Sequence, residues 1–173
     1  MPRSGRHVQK ILVAVDGSET SSRALAAAVD LARESGARLQ PLFVVDVPLL
    51  TYDMPGCDPS YVRNALVEEG KHVLADAAAL MAASGVEGPP RLVETEVAGD
   101  DIAHRIELAA QEFDADVVVM GTHGRRGVQR LMLGSVAERF LRIATSPVLL
   151  ISARCAPSAS AAMITGDTVK EPS

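Results

Sequence analysis

Tryptophan is absent from this chain of 173 residues, and phenylalanine and tyrosine together supply only five side chains. Hydrophobic residues nevertheless make up 47% of it, so its core must be aliphatic, built from Val, Leu, Ile and Ala. Lysine is scarcer still: Lys10, Lys71 and Lys170 are the whole complement. A Walker loop, G-x-x-x-x-G-K-[ST], is thereby excluded. Two cysteines, Cys57 and Cys155, fall in a loop and a tail without metal-type spacing, as reduced thiols do in a cytoplasmic protein. No pair of histidines has the i, i+4 spacing of a zinc site, so no protein-held metal is expected. The start lacks the apolar stretch of a secretory leader, and no run of about 18 apolar residues occurs. The chain is expected to be soluble and cytoplasmic, with no membrane partner.

The net charge is −5, which argues against a nucleic-acid partner, because such binding rests on Lys and Arg meeting phosphates. Its distribution says more. Residues 11–120 carry seven basic and nineteen acidic side chains, whereas 121–142 carry five arginines against Glu138 alone. An acidic body with one basic patch suits a small anion better than a long polyanion.

Length and patterning give one domain over 10–152, with a flexible N-terminus at 1–9 and a flexible tail at 153–173. "KILVAVD" (10–16) is the nearly continuous apolar run of a strand buried on both faces. Ser18 or Ser21 then caps a helix that stops at Gly36. "ARLQPLFVVDV" (37–47) reads as a second strand, its first half demoted by Pro41. Residues 48–59 read as a long irregular loop, either a lid over a ligand or surface padding. A helix over about 60–84 turns Val62, Leu66, Val73, Leu80 and Met81 inward. "PPRLVETEV" leads into a third strand. Asp100 and Asp101 open a helix striped by Ile102, Ile106, Ala109 and Phe113. "DVVVMG" (116–121), "SVAERFLRIAT" and "PVLLIS" (147–152) complete the series as strand, helix and strand. Strand–helix alternation throughout predicts an α/β domain, a doubly wound five-stranded parallel sheet with helices on both faces. Ligands of such sheets bind outside the carboxyl ends of the strands, where strand order reverses.

That rule directs attention to "GTHGRRGVQRLMLGS" (121–135), directly after the fourth strand. Gly121, Gly124 and Gly134 let backbone approach a ligand closely. Ser135 stands where the following helix begins, so unpaired N–H groups and a hydroxyl there suit a phosphate.

Gly121-x2-Gly124-x9-Gly134-Ser135 resembles the nucleotide motif of the universal stress proteins. "ILVAVDGSETS" (11–21), "FVVDV" (43–47) and "SPVLLI" are similar to that family's first strand and turn, second-strand end and closing strand. The resemblance runs over roughly residues 9–152. It implies strand order 3-2-1-4-5, an adenine-nucleotide alpha-hydrolase-like fold, ATP binding (with ADP or AMP as alternatives) and a homodimer through the last strand. It sets Asp16, with the backbone of Ala14 and Val15, beside adenosine, although Asp16 also reads as a capping turn residue. Val44 meets adenine through its backbone. Gly121 and Gly124 admit ribose and phosphates, and Gly134, Ser135 and Val136 bind phosphate oxygens. Arg125 is an added phosphate contact, and His123 reads either as a phosphate or ribose contact or as an exposed loop residue. His72 and His104 belong on helix surfaces.

No lysine stands in the phosphate segment and no carboxylate–His pair presents itself as a water activator, so hydrolysis is expected to be slow or nil. Mg²⁺ would arrive on the nucleotide. The leading expectation is a nucleotide-dependent stress-response regulator, with room for a further protein partner. Two alternatives stay open: an ATP-using enzyme (slow ATPase or adenylyl transfer), and a structural dimer that binds nothing. Neither H-x-G-H nor S-G-G-x-D-S, the patterns of related enzymes, occurs in the chain.

Overall fold

The computed structural model describes residues 7–53, 55–56, 58–96, 99–123 and 133–152. Strands β1 (Lys10–Ala14), β2 (Arg38–Val45), β3 (Arg91–Glu94), β4 (Val117–Gly121) and β5 (Val148–Ile151) form one parallel sheet ordered β3-β2-β1-β4-β5. Helices α1 (Glu19–Ser35), α3 (Pro59–Ala83), α4 (Ile102–Phe113) and α5 (Ser135–Ile143) supply the crossovers, and a one-turn helix α2 (Leu50–Asp53) sits between β2 and α3. The expected sheet and its strand order are therefore present. The stretch at 48–59 is not wholly irregular, because α2 occupies part of it.

Two aliphatic layers sandwich the sheet. On one face α1 and α3 bury Ala24, Ala28, Leu74, Ala77 and Met81 against Ile11, Val13, Leu39, Phe43 and Val119. On the other, α4 and α5 bury Ala103, Ile106, Ala109, Ala110 and Phe140 against Leu12, Leu42, Val118 and Met120. Alternate residues of each central strand thus serve opposite layers, which is why those strands read as unbroken apolar runs. The stripe foreseen for α4 is correct in phase, with Ile106 and Ala109 buried and Ile102 and Phe113 packed at its margins.

Local chemistry sets the helix boundaries. Ser18 caps α1 by accepting from the Ser21 N–H, and Gly36 ends it in the left-handed conformation. Asp58 and Asp101 cap α3 and α4 in the same manner.

Pro41 is fully buried within β2 and in register with Val13, so its expected demotion takes the form of an edge position and not of a break in the strand. Leu39 N–H and Val45 C=O both bond on the β3 side of β2, so alternation turns the Pro41 nitrogen to that side too. There β3 has not begun, because pairing with it starts at Leu42↔Arg91. For this half β2 is an edge strand, and the missing N–H leaves no rung unmade.

The inward face of α3 carries Met81, buried as expected, with Leu66, Val73 and Leu80 packed against the core at its margins. Val62 is only partly buried, and Gly70, Leu74 and Ala77 add the deepest contacts. Small residues set the approach: a Cβ on Gly70 would stand 2.7 Å from Phe43 Cδ1 and 2.9 Å from Leu92 Cδ1.

Candidate functional site

Strand order reverses at β1, which sends the chain to β2 on one side and meets β4 on the other. The crevice beyond these carboxyl ends gathers most of the residues singled out above. Register offsets from Leu12↔Gln40 and Leu12↔Val118 set Asp16 level with Val44 and Thr122, just past the last rungs.

Asp16 works as a turn residue: its Oδ1 accepts from the Ser18 N–H at 2.9 Å, and its own N–H donates to Ser21 Oγ at 3.2 Å. The Val15 N–H is engaged with Leu42 C=O at 2.9 Å, which closes the β1–β2 ladder. Alternation turns the Val44 N–H and C=O toward the same side as Leu42, beyond that final rung. Val44 therefore presents main-chain polar groups to the crevice from within a strand.

Gly121 ends β4 against the first turn of α1. A Cβ there would meet Thr20 Cγ2 at 2.9 Å, so the bare Cα has a packing reason of its own. Thr122 follows and joins three elements. Its N–H donates to Ile151 C=O of β5 at 2.9 Å, and its C=O accepts from the Gly134 N–H at 2.7 Å. Its Oγ1 lies 3.0 Å from His123 Nδ1. Patterning gave no sign of Thr122, because all three partners except His123 are distant in sequence.

Gly134 is the N-cap of α5 and has no side chain to cap with, and among the described residues no side chain caps that helix. This sets α5 apart from α1, α3 and α4, whose N-termini are closed by Ser18, Asp58 and Asp101. Ser135 is the first helical residue, exposed to solvent. The first bond inside the helix runs from the Glu138 N–H to Gly134 C=O, so the N–H groups of Ser135, Val136 and Ala137 precede it without intrahelical acceptors. The result is an open positive helix end at the point where strand order reverses. Gly134 is as tightly placed as Gly121, for a Cβ would lie 3.0 Å from Thr122 O.

Two of the five arginines in 121–142 are neutralised. Arg139 Nε pairs with Asp101 Oδ2 at 2.5 Å, tying α5 to the cap of α4, and Arg142 pairs with Glu138. Arg125, Arg126 and Arg130 lie outside the described residues, as does Gly124. Beside the Asp101 cap, Asp100 bonds Arg105 and accepts from the N–H groups of Glu96 and Asp101. Partial burial works to raise the Asp100 carboxyl, but these donors outweigh it and hold it below the usual carboxylate value. Glu107, also unforeseen, is a buried carboxylate on α4. Its Oε1 accepts from Gln111 and from the N–H and hydroxyl of Thr145, fixing the turn between α5 and β5. His72 and His104 are exposed on α3 and α4 as expected.

Comparison with known proteins agrees with this architecture. The model of the universal stress protein family matches residues 7–152. The universal stress protein YxiE of Bacillus subtilis is 35% identical over 149 residues, which span 82% of this chain and 97% of that one. A solved universal stress family protein from Burkholderia pseudomallei is 49% identical with a TM-score of 0.70, over 86% of this chain and 98% of its own. The universal stress protein of Archaeoglobus fulgidus solved in complex with dAMP is 27% identical, with a TM-score of 0.59, over 84% and 98% respectively.

Proposed function

The chain belongs to the universal stress protein family, and from that membership we propose that it binds an adenine nucleotide at the carboxyl ends of β1 and β4. ATP is the leading ligand, with ADP or AMP as alternatives. The observation that carries the reading is the α5 N-terminus, without a side-chain cap among the described residues, at the crevice where strand order reverses. A relative from Archaeoglobus fulgidus that binds dAMP supports the same class of ligand.

In this reading Gly134, Ser135 and Val136 hold phosphate oxygens through N–H groups and the Ser135 hydroxyl. Val44 offers its main chain to adenine, while Asp16 and the backbone of Ala14 and Val15 border the nucleoside. Gly121 keeps the floor low enough for ribose. Gly124 and Arg125 are assigned to the phosphates on sequence alone. Mg²⁺ accompanies the nucleotide and asks few or no ligands of the protein. The role is regulatory, in a cytoplasmic stress response, with hydrolysis far below the ~1 s⁻¹ of ordinary enzymes. Calorimetric titration should give a dissociation constant near the micromolar range, about 8 kcal/mol of binding. No heat of binding at millimolar ATP would overturn the reading, and mass spectrometry of co-purifying nucleotide would identify the ligand directly.

The same reading makes the protein a homodimer joined through β5 and residues 147–152. Strand β5 is the sheet's outer strand beside β4, and Leu149 on it is 39% exposed, with Leu141 and Ile143 of α5 also partly bare. An apolar strand at the margin of the described sheet favours pairing with its own copy, and a two-fold closure is the commonest outcome. Light scattering at micromolar concentration should give a dimer for the wild type and a monomer for Leu149→Lys. A monomeric wild type would refute the assembly.

A further inference from the structure

Resting on the nucleotide reading above, we infer that His123 is the residue by which the site reads phosphate, donating from Nε2 to an oxygen of the phosphate chain. The ring is fixed at one end, with Nδ1 3.0 Å from Thr122 Oγ1. At the other end Nε2 is shut off from water and has no hydrogen-bond partner among the described residues. A buried polar atom without a partner is unfavourable in any protein and marks a place where something else completes the bond.

The surroundings select the kind of group. His123 stands against the open end of α5, since a Cβ on Gly134 would lie 3.4 Å from His123 Cα. That end is the positive pole of a helix with no side-chain cap, so an incoming oxygen there is favoured when it carries negative charge. Neutral imidazole has one donor and one acceptor nitrogen, and the partner of one decides the role of the other. When the Thr122 hydroxyl donates to Nδ1, the ring proton sits on Nε2, the form that a phosphate oxygen accepts. Thr122 is thus a positioning residue: its N–H and C=O place the segment, and its hydroxyl sets the tautomer.

Calorimetry with ATP, ADP and adenosine on paired variants tests this, with thermal melts to verify folding. Asparagine places its amide nitrogen where Nδ1 stands and leaves nothing at Nε2, whereas glutamine carries its amide nitrogen out to the Nε2 position. His123→Asn should bind ATP and ADP about ten- to a hundredfold more weakly, the worth of a hydrogen bond to a charged group, with adenosine unchanged. His123→Gln should recover most of that loss. Thr122→Val should weaken the two phosphorylated ligands in part, and Thr122→Ser should restore them. Equal losses for ATP and adenosine would overturn the assignment in favour of a ribose contact or general damage. Unchanged ATP affinity in His123→Asn would overturn it outright. Wild-type protein that binds none of the three ligands would bring down the nucleotide reading itself, and this assignment with it.

Discussion

Gly88→Ala should cost about 3 kcal/mol of folding stability, and with it roughly 6–12 °C of Tm for a chain of this size. An ideal Cβ at Gly88 would lie 1.7 Å from Leu39 O and 2.6 Å from Leu39 C. Those are backbone atoms of β2 and cannot swing aside as a side-chain tip can. The segment must therefore lift away from β2, and the bond from the Leu39 N–H to Glu87 C=O, 2.9 Å long, goes with it. Overpacking of about 1–3 kcal/mol and a lost hydrogen bond of about 1 kcal/mol make up the figure. Gly36→Ala is the control, because its Cβ would meet nothing within 4 Å and only the left-handed φ of +70° opposes it. Urea titration should rank Gly88→Ala well below that control. Equal midpoints would mean that residues 87–88 do not lie against β2.

Gly134→Asp should separate binding from folding. The N-cap backbone at φ −63°, ψ 149° is open to any L residue, and an aspartate there can accept helix N–H groups as Asp58 and Asp101 do. The crowding against Thr122 O, at 3.0 Å, asks only a small adjustment. Stability should stay within about 1 kcal/mol of wild type, since the new cap offsets the contact. Affinity for ATP should fall at least about a hundredfold, for the carboxylate takes the very donors meant for phosphate and repels it. Two unit charges about 4 Å apart near a protein surface oppose each other by about 4 kcal/mol. Gly134→Asn, a neutral cap, should lose less. A Gly134→Asp protein that is well folded and binds ATP at wild-type strength would move the phosphate site elsewhere.

Much of the architecture could be read from the chain because local rules and global fold agree in it. Ser18, Gly36 and Asp101 announce helix ends by chemistry that acts within a few residues, and they are found doing so. The aliphatic runs at β1 and β4 signal burial on both faces, which only a covered parallel sheet supplies. What stayed unread has a different character. Pro41 is tolerated inside β2 because β3 starts only at Arg91, and the depth to which α3 seats is set by Gly70 against Phe43 and Leu92. Each depends on a neighbour remote in sequence, which no window on the chain can reveal. The site divides likewise. Glycine spacing pointed to the open end of α5, but Thr20 against Gly121 and the three bonds of Thr122 exist only once the sheet is assembled.

The peptide groups of Thr122 carry a mechanical implication. One residue suspends both the outermost strand, through Ile151, and the head of α5, through Gly134. The last rung of the β4–β5 ladder and the head of α5 consequently share one residue, so a shift of Thr122 is felt in both places together.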